Sequence, residues 1–326
     1  MKHTIYFITG INGFLGRTLA KRLLDAACEV YGLRLPTDKQ RPLDKVIYYE
    51  GDVTKPRTLV PFVKAAAKKG AVLIHCAGIV SIAAQNPALW RVNVDGTRNL
   101  IDQCEKQQVK KIIYVSSVHA IPEKPNGEVI RETERFSASL VKGIYGKSKA
   151  EATAFVKNAT RHGLPVTIVH PSGIIGPEDS SGSYMTELFR FYVRHRIPLA
   201  IDGGYDFVDV RDVAEGILKC AQQEARGESY ILSNEYITVG RIFDTLSRLT
   251  GKSKTWGSLP LRWIRPLAPC CEKIFPLLGL PKLITPYSLY TLGSNGNFSH
   301  EKATKELGYQ PRSLEETMAD IVRWLQ

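Results

Sequence analysis

Over 326 residues the chain carries 44 Lys and Arg against 32 Asp and Glu, a net charge of +12, with 44% hydrophobic and 23% charged residues. These are the proportions of a soluble globular protein of one large domain or two coupled units. The basic excess favours anionic partners such as phosphorylated cofactors, but the charges are scattered, and the lack of a Lys/Arg block argues against a nucleic-acid-binding stripe.

The first ten residues, "MKHTIYFITG", hold an apolar run too short for a signal peptide and read as a first β-strand. Short β-branched runs then alternate with longer helical patterns. Strands are expected at Thr4–Thr9, Glu29–Leu33, Val46–Glu50, Val72–Cys76, Lys111–Ser116 and Pro165–His170. Helices are expected at Phe14–Ala26, Pro56–Lys69, Pro87–Gln107 and Tyr145–Arg161. Thr54 and Asn86 stand as caps before Pro56 and Pro87. Such alternation predicts an α/β fold, a doubly wound parallel sheet with helices on both faces. Further on, strand signals thin and prolines gather at Pro260, Pro266, Pro269, Pro276, Pro281 and Pro286. The apolar stretch "LPLRWIRPLAPCCEKIFPLLGLP" is too interrupted to span a membrane, which takes about twenty apolar residues. Short helices packed over a pocket are the favoured reading of it, with weak membrane-surface association left open.

Cys28, Cys76, Cys104, Cys220, Cys270 and Cys271 form no Cys-x-x-Cys pair, and the histidines lack zinc-type spacing. Reduced thiols, no metal centre and a cytoplasmic location are therefore expected.

The glycine-rich turn Thr9-Gly10-Ile11-Asn12-Gly13-Phe14-Leu15-Gly16 joins the first strand to the first helix. Small residues there allow a sharp turn, and the helix start offers N–H groups and a dipole to a pyrophosphate. Gly10, Asn12, Gly13, Phe14, Leu15 and Gly16 are thus candidates to hold a dinucleotide. At the tip of the second strand an acid would meet a ribose 2′-hydroxyl and an arginine a 2′-phosphate. Arg34 stands there, with Asp38 carried past the strand end by Pro36, so NADP is expected over NAD. Asp52 and Val53 in "EGDVT" suit the adenine, and Ala77 and Gly78 in "HCAG" leave room for the cofactor to cross the sheet edge. "YVSSVHA" puts Ser116 and Ser117 at the carboxyl end of the fifth strand, where open parallel sheets bind ligands. Tyr145 and Lys149 lie one turn apart on one helix face. A neighbouring ammonium and a nicotinamide cation would lower the tyrosine's pKa from about 10 and fit it for proton transfer, while Ser117 orients the substrate oxygen. "GKS" at 146–148 lacks the earlier glycine of a P-loop, since Val141 stands there.

"TGINGFLG", "GDV", "HCAG", "NVDGT", "YVSS", Tyr145-x-x-x-Lys149, "HPSGIIGP" and the late "FSHEKATKELGYQP" occur in an order that resembles the extended short-chain dehydrogenases/reductases, over nearly the whole chain. The resemblance implies a Rossmann domain binding NAD(P) at 1–172, with 207–235 returning to it. It also implies a smaller, mostly helical substrate lobe from 173–206 and 236–326, and catalysis by Ser117, Tyr145 and Lys149, with Ser116 as the fallback for the first. Asn93 and Pro171 join the residues expected near the cofactor, and a homodimer is compatible with it.

Within that family, nucleotide-sugar enzymes often have Arg where this chain has Tyr205 and Asn where it has Ser172. The run "FVDVRDVAEG" looks more like the dihydroflavonol-reductase and 3β-hydroxysteroid-dehydrogenase branch. The expected function is therefore hydride transfer between nicotinamide and a ketone or secondary alcohol. The alternatives are a nucleotide-sugar epimerase or dehydratase, to which Arg211 could offer a phosphate contact, and a non-catalytic dinucleotide-binding regulator. His119 reads as a solvated loop residue, Asn93 equally as a tie between elements, and Asp209 and Asp212 as structural.

Overall fold

The computed structural model describes residues 4–82, 86–195, 197, 199–223, 227–253, 255–278, 280 and 282–326. Pro281 lies outside them. The elements run β1 (Ile5–Thr9), α1 (Phe14–Asp25), β2 (Glu29–Arg34), β3 (Val46–Glu50), α2 (Pro56–Lys68), β4 (Val72–His75), α3 (Pro87–Trp90), α4 (Gly96–Lys106), β5 (Lys111–Val115), α5 (Ile144–Arg161) and β6 (Val166–Pro171). There follow β7 (Gly173–Ile175), α6 (Tyr184–Arg194), β8 (Leu199–Ile201), β9 (Gly204–Asp209), α7 (Val210–Gln222), β10 (Ser229–Leu232), β11 (Glu235–Thr238) and α8 (Val239–Thr250). The chain ends with β12 (Gly257–Leu259), α9 (Leu261–Ile264), α10 (Ala268–Leu277), α11 (Pro286–Leu292), α12 (Glu301–Leu307) and α13 (Leu314–Leu325).

Seven strands form one sheet in the order β10-β6-β5-β4-β1-β2-β3, all neighbours parallel. The strand order reverses between β1 and β4, which opens a crevice at their carboxyl ends. Side chains alternate between the faces of a strand, and both faces here are covered. Tyr6 and Ile8 join Leu19, Val213 and Ile217 in one core. Phe7 joins Leu59, Phe62, Leu100 and Val156 in the other, stacked on Tyr31 at 4.4 Å. A separate three-stranded sheet, β11-β9-β7, packs with α6, α8 and α13 around Phe189, Tyr192, Phe243 and Met318. β8 and β12 form a parallel pair.

Two local expectations change. The helix expected over Pro87–Gln107 is divided by a π turn at Arg91–Asp95, whose extra residue turns Asn93 and Val94 inward. Asn86 does cap α3, its side chain accepting from Ala88 N at 3.2 Å. Thr54, by contrast, does not cap α2: Lys55 holds that position, and the Thr54 hydroxyl donates to Asp52 Oδ1 at 2.8 Å. Thr54 lies one residue before the cap position, and its side chain is turned back to the Asp52 carboxylate instead of towards the helix N–H groups.

His75, at the end of β4, is 1% exposed. Thr97 Oγ1 donates to the carbonyl of Asn93 at 2.7 Å and so can only accept from His75 Nε2, at 3.1 Å. His75 Nδ1 then accepts from Thr9 Oγ1 at 2.7 Å, and Thr9 Oγ1 accepts from Ala77 N at 3.3 Å. This assigns the neutral Nε2–H tautomer. Burial first, and the Lys149 charge second, push His75 down to about 3. His170 at the end of β6, buried and stacked on Phe136, is pushed down to about 4, again chiefly by burial.

Both groups have a folded pKa below the unfolded value of 6.5. Their contribution to stability is whole above pH 6.5 and is lost as the pH falls towards about 4, because only the unfolded chain takes up the protons. Stability should fall by about 1.4 kcal/mol per pH unit for each histidine in that window. Urea melts at pH 7, 6 and 5 measure it. His75→Gln should lower the slope by about 1.4 kcal/mol per pH unit, its own share; an unchanged slope would mean that His75 titrates normally in the fold.

Candidate active site

The glycine turn brings backbone against backbone. Gly10 has φ +67°, and a Cβ there would lie 2.7 Å from the Cα of Ala77. A Cβ on Gly16 would lie 2.2 Å from the carbonyl oxygen of Gly10. Gly13 opens α1, its N–H donating to that same carbonyl at 3.0 Å. Leu15 is buried in the sheet core and Phe14 packs against it. Asn12 is 7% exposed and donates through Nδ2 to Asp38 at 2.7 Å, while its Oδ1 is buried without a partner. An unsatisfied buried oxygen and a cradle that any Cβ would fill fit a close-lying ligand rich in oxygen and hydroxyl groups.

Asp38 lies beyond β2, as its distance from the strand suggests, yet it is folded back onto this turn, also accepting from Gln40 N at 2.9 Å. Arg34 ends β2, pairs with Glu50 at 3.2 Å and lies over the Tyr48 ring at 5.3 Å. Asp52 accepts from Thr54 N at 2.9 Å, and the Val53 carbonyl accepts from Asn99 at 2.9 Å. Ala77 and Gly78 leave β4 beside the glycine turn; a Cβ on Gly78 would lie 3.5 Å from Lys149 Nζ. Asn93 is the tie between elements: its side chain accepts from Ile79 N at 2.7 Å and donates to Ile79 O at 2.9 Å and Ser148 Oγ at 3.1 Å. It thereby fixes the loop after β4 to α5. Pro171 ends β6 and is buried.

Of the two serines, Ser116 is spent on structure, sharing a 2.6 Å hydrogen bond with Thr153. Ser117 accepts from His119 N at 3.2 Å and hydrogen-bonds the Tyr145 phenol. The structure thus brings Ser117, Tyr145 and Lys149 to one place. The electrostatics differ from expectation. Burial pushes the Tyr145 phenol up to about 12, with the Ser117 hydrogen bond working the other way. Burial lowers Lys149 to about 8. Its ammonium donates to the Val115 carbonyl at 2.9 Å and lies over the Tyr114 ring at 5.4 Å. In the protein alone, desolvation dominates at Tyr145, opposed only by the Ser117 contact.

An aromatic cluster over Tyr145 was not legible in the sequence. His119, read there as a solvated residue, is clasped: its Nε2 is 3.2 Å from the Tyr205 hydroxyl and its Nδ1 3.2 Å from that of Tyr287. The ring stacks on Tyr205 at 5.4 Å and stands edge-on to Tyr145 at 5.6 Å. Burial lowers His119 to about 4, so the ring is neutral at pH 7. Gly143, at φ +74°, makes room for Tyr287, since a Cβ there would lie 2.0 Å from its ring. The one sequence signal was "TPYSLY", whose Thr285 and Ser288 form the capping box of α11 and set Tyr287 and Tyr290 on one face. This chamber, lined by Val118, Ile121, Val141 and Phe298 as well, adjoins an open cleft of about 780 Å³ walled by Lys142, Arg265, Pro286 and Tyr290.

Arg211 is taken up by structure. It pairs with Asp209 at 2.7 Å and Asp320 at 2.7 Å. Asp209 caps α7, and Asp212 holds Arg312. No described group of acids, histidines and cysteines could hold a metal, and no helix among the described residues is long and apolar enough to cross a membrane. No disulfide joins the six cysteines, and Cys270 is exposed on the segment that Pro266 and Pro269 break into short helices.

The sequence model of the NAD dependent epimerase/dehydratase family matches residues 6–234. A Synechocystis sp. protein named for dihydroflavonol 4-reductase is 29% identical, over 98% of this chain and 94% of its own. Human 3 beta-hydroxysteroid dehydrogenase type 7 is 27% identical, over 99% and 95%. The crystal structure of gox2253 superposes with a TM-score of 0.84 at 31% identity, over 99% and 98% of the two chains. A Thermus thermophilus UDP-glucose 4-epimerase in complex with NAD shares the fold, with a TM-score of 0.75 at 21% identity, over 99% of both chains. The chain belongs to the NAD dependent epimerase/dehydratase family, and is an NAD(P)-dependent oxidoreductase of the extended short-chain dehydrogenase/reductase type.

Proposed function

We propose that the protein reduces a ketone, or oxidises the matching secondary alcohol, on an apolar small molecule of the hydroxysteroid or dihydroflavonol kind. The observation that carries this reading is the chamber above Tyr145. Its walls combine tyrosines, a neutral histidine, Val118, Ile121, Ile130 and Phe298 with Glu123, Lys142, Ser294 and Asn295, a lining for a carbon skeleton with a few polar groups. Its own space of about 40 Å³ opens onto the larger cleft of about 780 Å³. The position expected to hold a diphosphate-clamping arginine carries Tyr205, whose hydroxyl is committed to His119.

The bound nicotinamide dinucleotide supplies or accepts the hydride. Gly10, Asn12, Gly13, Phe14, Leu15 and Gly16 would hold its pyrophosphate, Asp52 and Val53 its adenine, and Ala77, Gly78, Asn93 and Pro171 would line its path. Lys149 would hold the ribose next to the nicotinamide. Tyr145, kept protonated across the neutral range by its burial, donates its phenolic proton to the substrate oxygen as that oxygen gains negative charge. Ser117 hydrogen-bonds the same oxygen and fixes its direction. In the reverse direction the phenolate is the base, and the positive nicotinamide beside it favours that form. The strand arrangement supports a dinucleotide-binding part built on the seven-stranded sheet and a substrate lobe built on the smaller sheets and the late helices.

A second reading has one observation behind it. The outer cleft is walled by Lys124, Lys142 and Arg265, cations that could meet the diphosphate of a nucleotide sugar. The two readings part on the reaction observed: turnover of a UDP-sugar with tightly held NAD and no net oxidation would overturn the first.

Tyr145→Phe should lower kcat by about 10² to 10⁴ while leaving dinucleotide affinity nearly unchanged. Stopped-flow hydride transfer and fluorescence titration measure the two, and a variant that retained turnover would remove Tyr145 from the proton path and restore a non-catalytic role.

We further propose NADP as the cofactor. Arg34 ends β2 with its guanidinium half-exposed, and its partner Glu50 is a surface acid that holds it weakly, so a 2′-phosphate can take Glu50's place. The competing group is Asp38. Arg34→Ala should raise KM for NADPH about tenfold or more and change KM for NADH little. A wild-type preference for NADH that Asp38→Ala removes would reverse the assignment.

A further inference from the structure

Residues 256–278 carry a surface that the reaction does not use. Pro260, Pro266 and Pro269 break the segment into β12, α9, a 3₁₀ turn at Arg265–Leu267 and α10. Ile264 and Ala268 are buried against Leu289 of α11, with Leu259 and Leu261 partly buried beside them. The outward side chains are unusually apolar: Trp256 is 75% exposed, Trp263 61%, Leu267 58%, Leu277 85% and Leu278 66%, with Ile274 beside them. A contiguous set of large apolar groups in water marks a contact surface.

The charges among these groups point to what it meets. Arg262, Arg265 and Lys273 are exposed, and Arg262 lies over the Trp263 ring at 5.9 Å. The one acid from 256 to 278, Glu272, is turned inward and paired with Lys282 at 3.1 Å. A face of tryptophan and leucine edged mainly by cations, with Asp202 held by Ser258 as the exposed acid beside it, matches an anionic bilayer, whose headgroups neutralise the cations while the apolar groups enter the acyl boundary. A second copy of the chain matches it less well, because a two-fold contact would bring two faces that both carry Arg262, Arg265 and Lys273 together. The rest of the chain adds attraction to the same sign of surface, with a net charge of +12.

We infer that residues 256–278 seat the protein on an anionic lipid bilayer. Because no described helix can cross a membrane, the association is peripheral and reversible. Arg265 belongs both to this face and to the wall of the outer cleft, which continues through Tyr290 to Tyr287 and His119 above Tyr145. The docked face therefore places the cleft mouth next to the lipid. The inference concerns binding alone and is independent of the identity of the substrate.

The test is flotation of the full chain with vesicles of phosphatidylcholine and of phosphatidylcholine with phosphatidylglycerol, alongside tryptophan emission. Binding to the phosphatidylglycerol vesicles should be at least tenfold stronger, fall with salt and shift the emission to the blue. The combined variant Trp263→Ser, Leu277→Ser, Leu278→Ser should lose about tenfold or more of that binding. Its replaced side chains are exposed, and its thermal melt checks the fold. A second variant, Arg262→Gln with Lys273→Gln, leaves the apolar groups in place and should lose about fivefold per cation. It decides the matter should the first variant fold poorly. Absence of flotation with either vesicle would overturn the inference. So would binding that both variants leave intact, which moves the contact elsewhere on the basic surface. A dimer seen by light scattering that the serine variant dissolves, without flotation, would assign the face to a second copy.

Discussion

The chain of hydrogen bonds that crosses the carboxyl edge of the sheet at His75 is the constraint on which the site rests. It runs from the Ala77 N–H through Thr9, His75 and Thr97 to the carbonyl of Asn93. It joins β1, β4 and the π turn ahead of α4 by side chains that water does not reach. A buried imidazole with both nitrogens satisfied is stable only while neutral, and His75 is held neutral. The consequences spread outward from both ends. Ala77 is the backbone against which Gly10 packs, so the glycine turn takes its position from this chain. Asn93 grips the loop after β4 and, through Ser148, the first turn of α5. Ser148 Oγ in turn donates to the Tyr145 carbonyl at 2.8 Å. The proposed proton donor is thus only a few hydrogen bonds away from the turn proposed to hold the pyrophosphate.

Burial holds this arrangement and also sets its chemistry. The desolvation that keeps His75 neutral raises Tyr145 to about 12 and lowers Lys149 to about 8. Each of these groups resists charge, so the protein alone favours a neutral phenol next to a weakly held ammonium. Such a site responds strongly to a charge brought into it, because a low-dielectric surrounding screens little. In the proposed reaction, the direction of proton transfer is then a matter of the cofactor's charge more than of any further residue of the chain.

How much of this could be read beforehand depended on the distance over which each feature is encoded. The parallel sheet was legible because strand alternation and helix periodicity are local, and the glycine turn and the Tyr145–Lys149 pair because each lies within one turn or helix. Features assembled from distant segments were not. His75 in "HCAG" looks like any strand residue until Thr9 and Thr97 are seen on either side of it. The cluster over Tyr145 draws His119 from the loop after β5, Tyr205 from β9 and Tyr287 from α11, and no spacing rule connects the three. Asp38 was placed beyond the strand by Pro36, which was right, but its return to Asn12 follows from a turn whose path no short motif specifies. Thr54 was misread because the helix starts at Pro56, one residue later than a Thr54 cap requires, and the Thr54 side chain turns back to Asp52, a boundary that residue type alone does not fix.

The seam between the two parts of the chain is narrow at one point, and that point ties recognition to catalysis. Gly143 begins α5 with a positive φ, and its missing side chain is the space that the Tyr287 ring fills. Any L-residue there would meet both a strained backbone and the ring. Tyr287 therefore sits directly on the turn that presents Tyr145, and its hydroxyl reaches His119. α11, which carries it, also packs against Ile264 and Ala268 beneath the exposed face of 256–278. A movement of α11 is felt directly at this ring, alongside the contacts of Asn295 with Glu123 and of Thr285 with Ile82. The first part of the molecule can then keep one rigid geometry for proton transfer while the later helices vary what is brought to it, and the contact at Gly143 is where the two must agree.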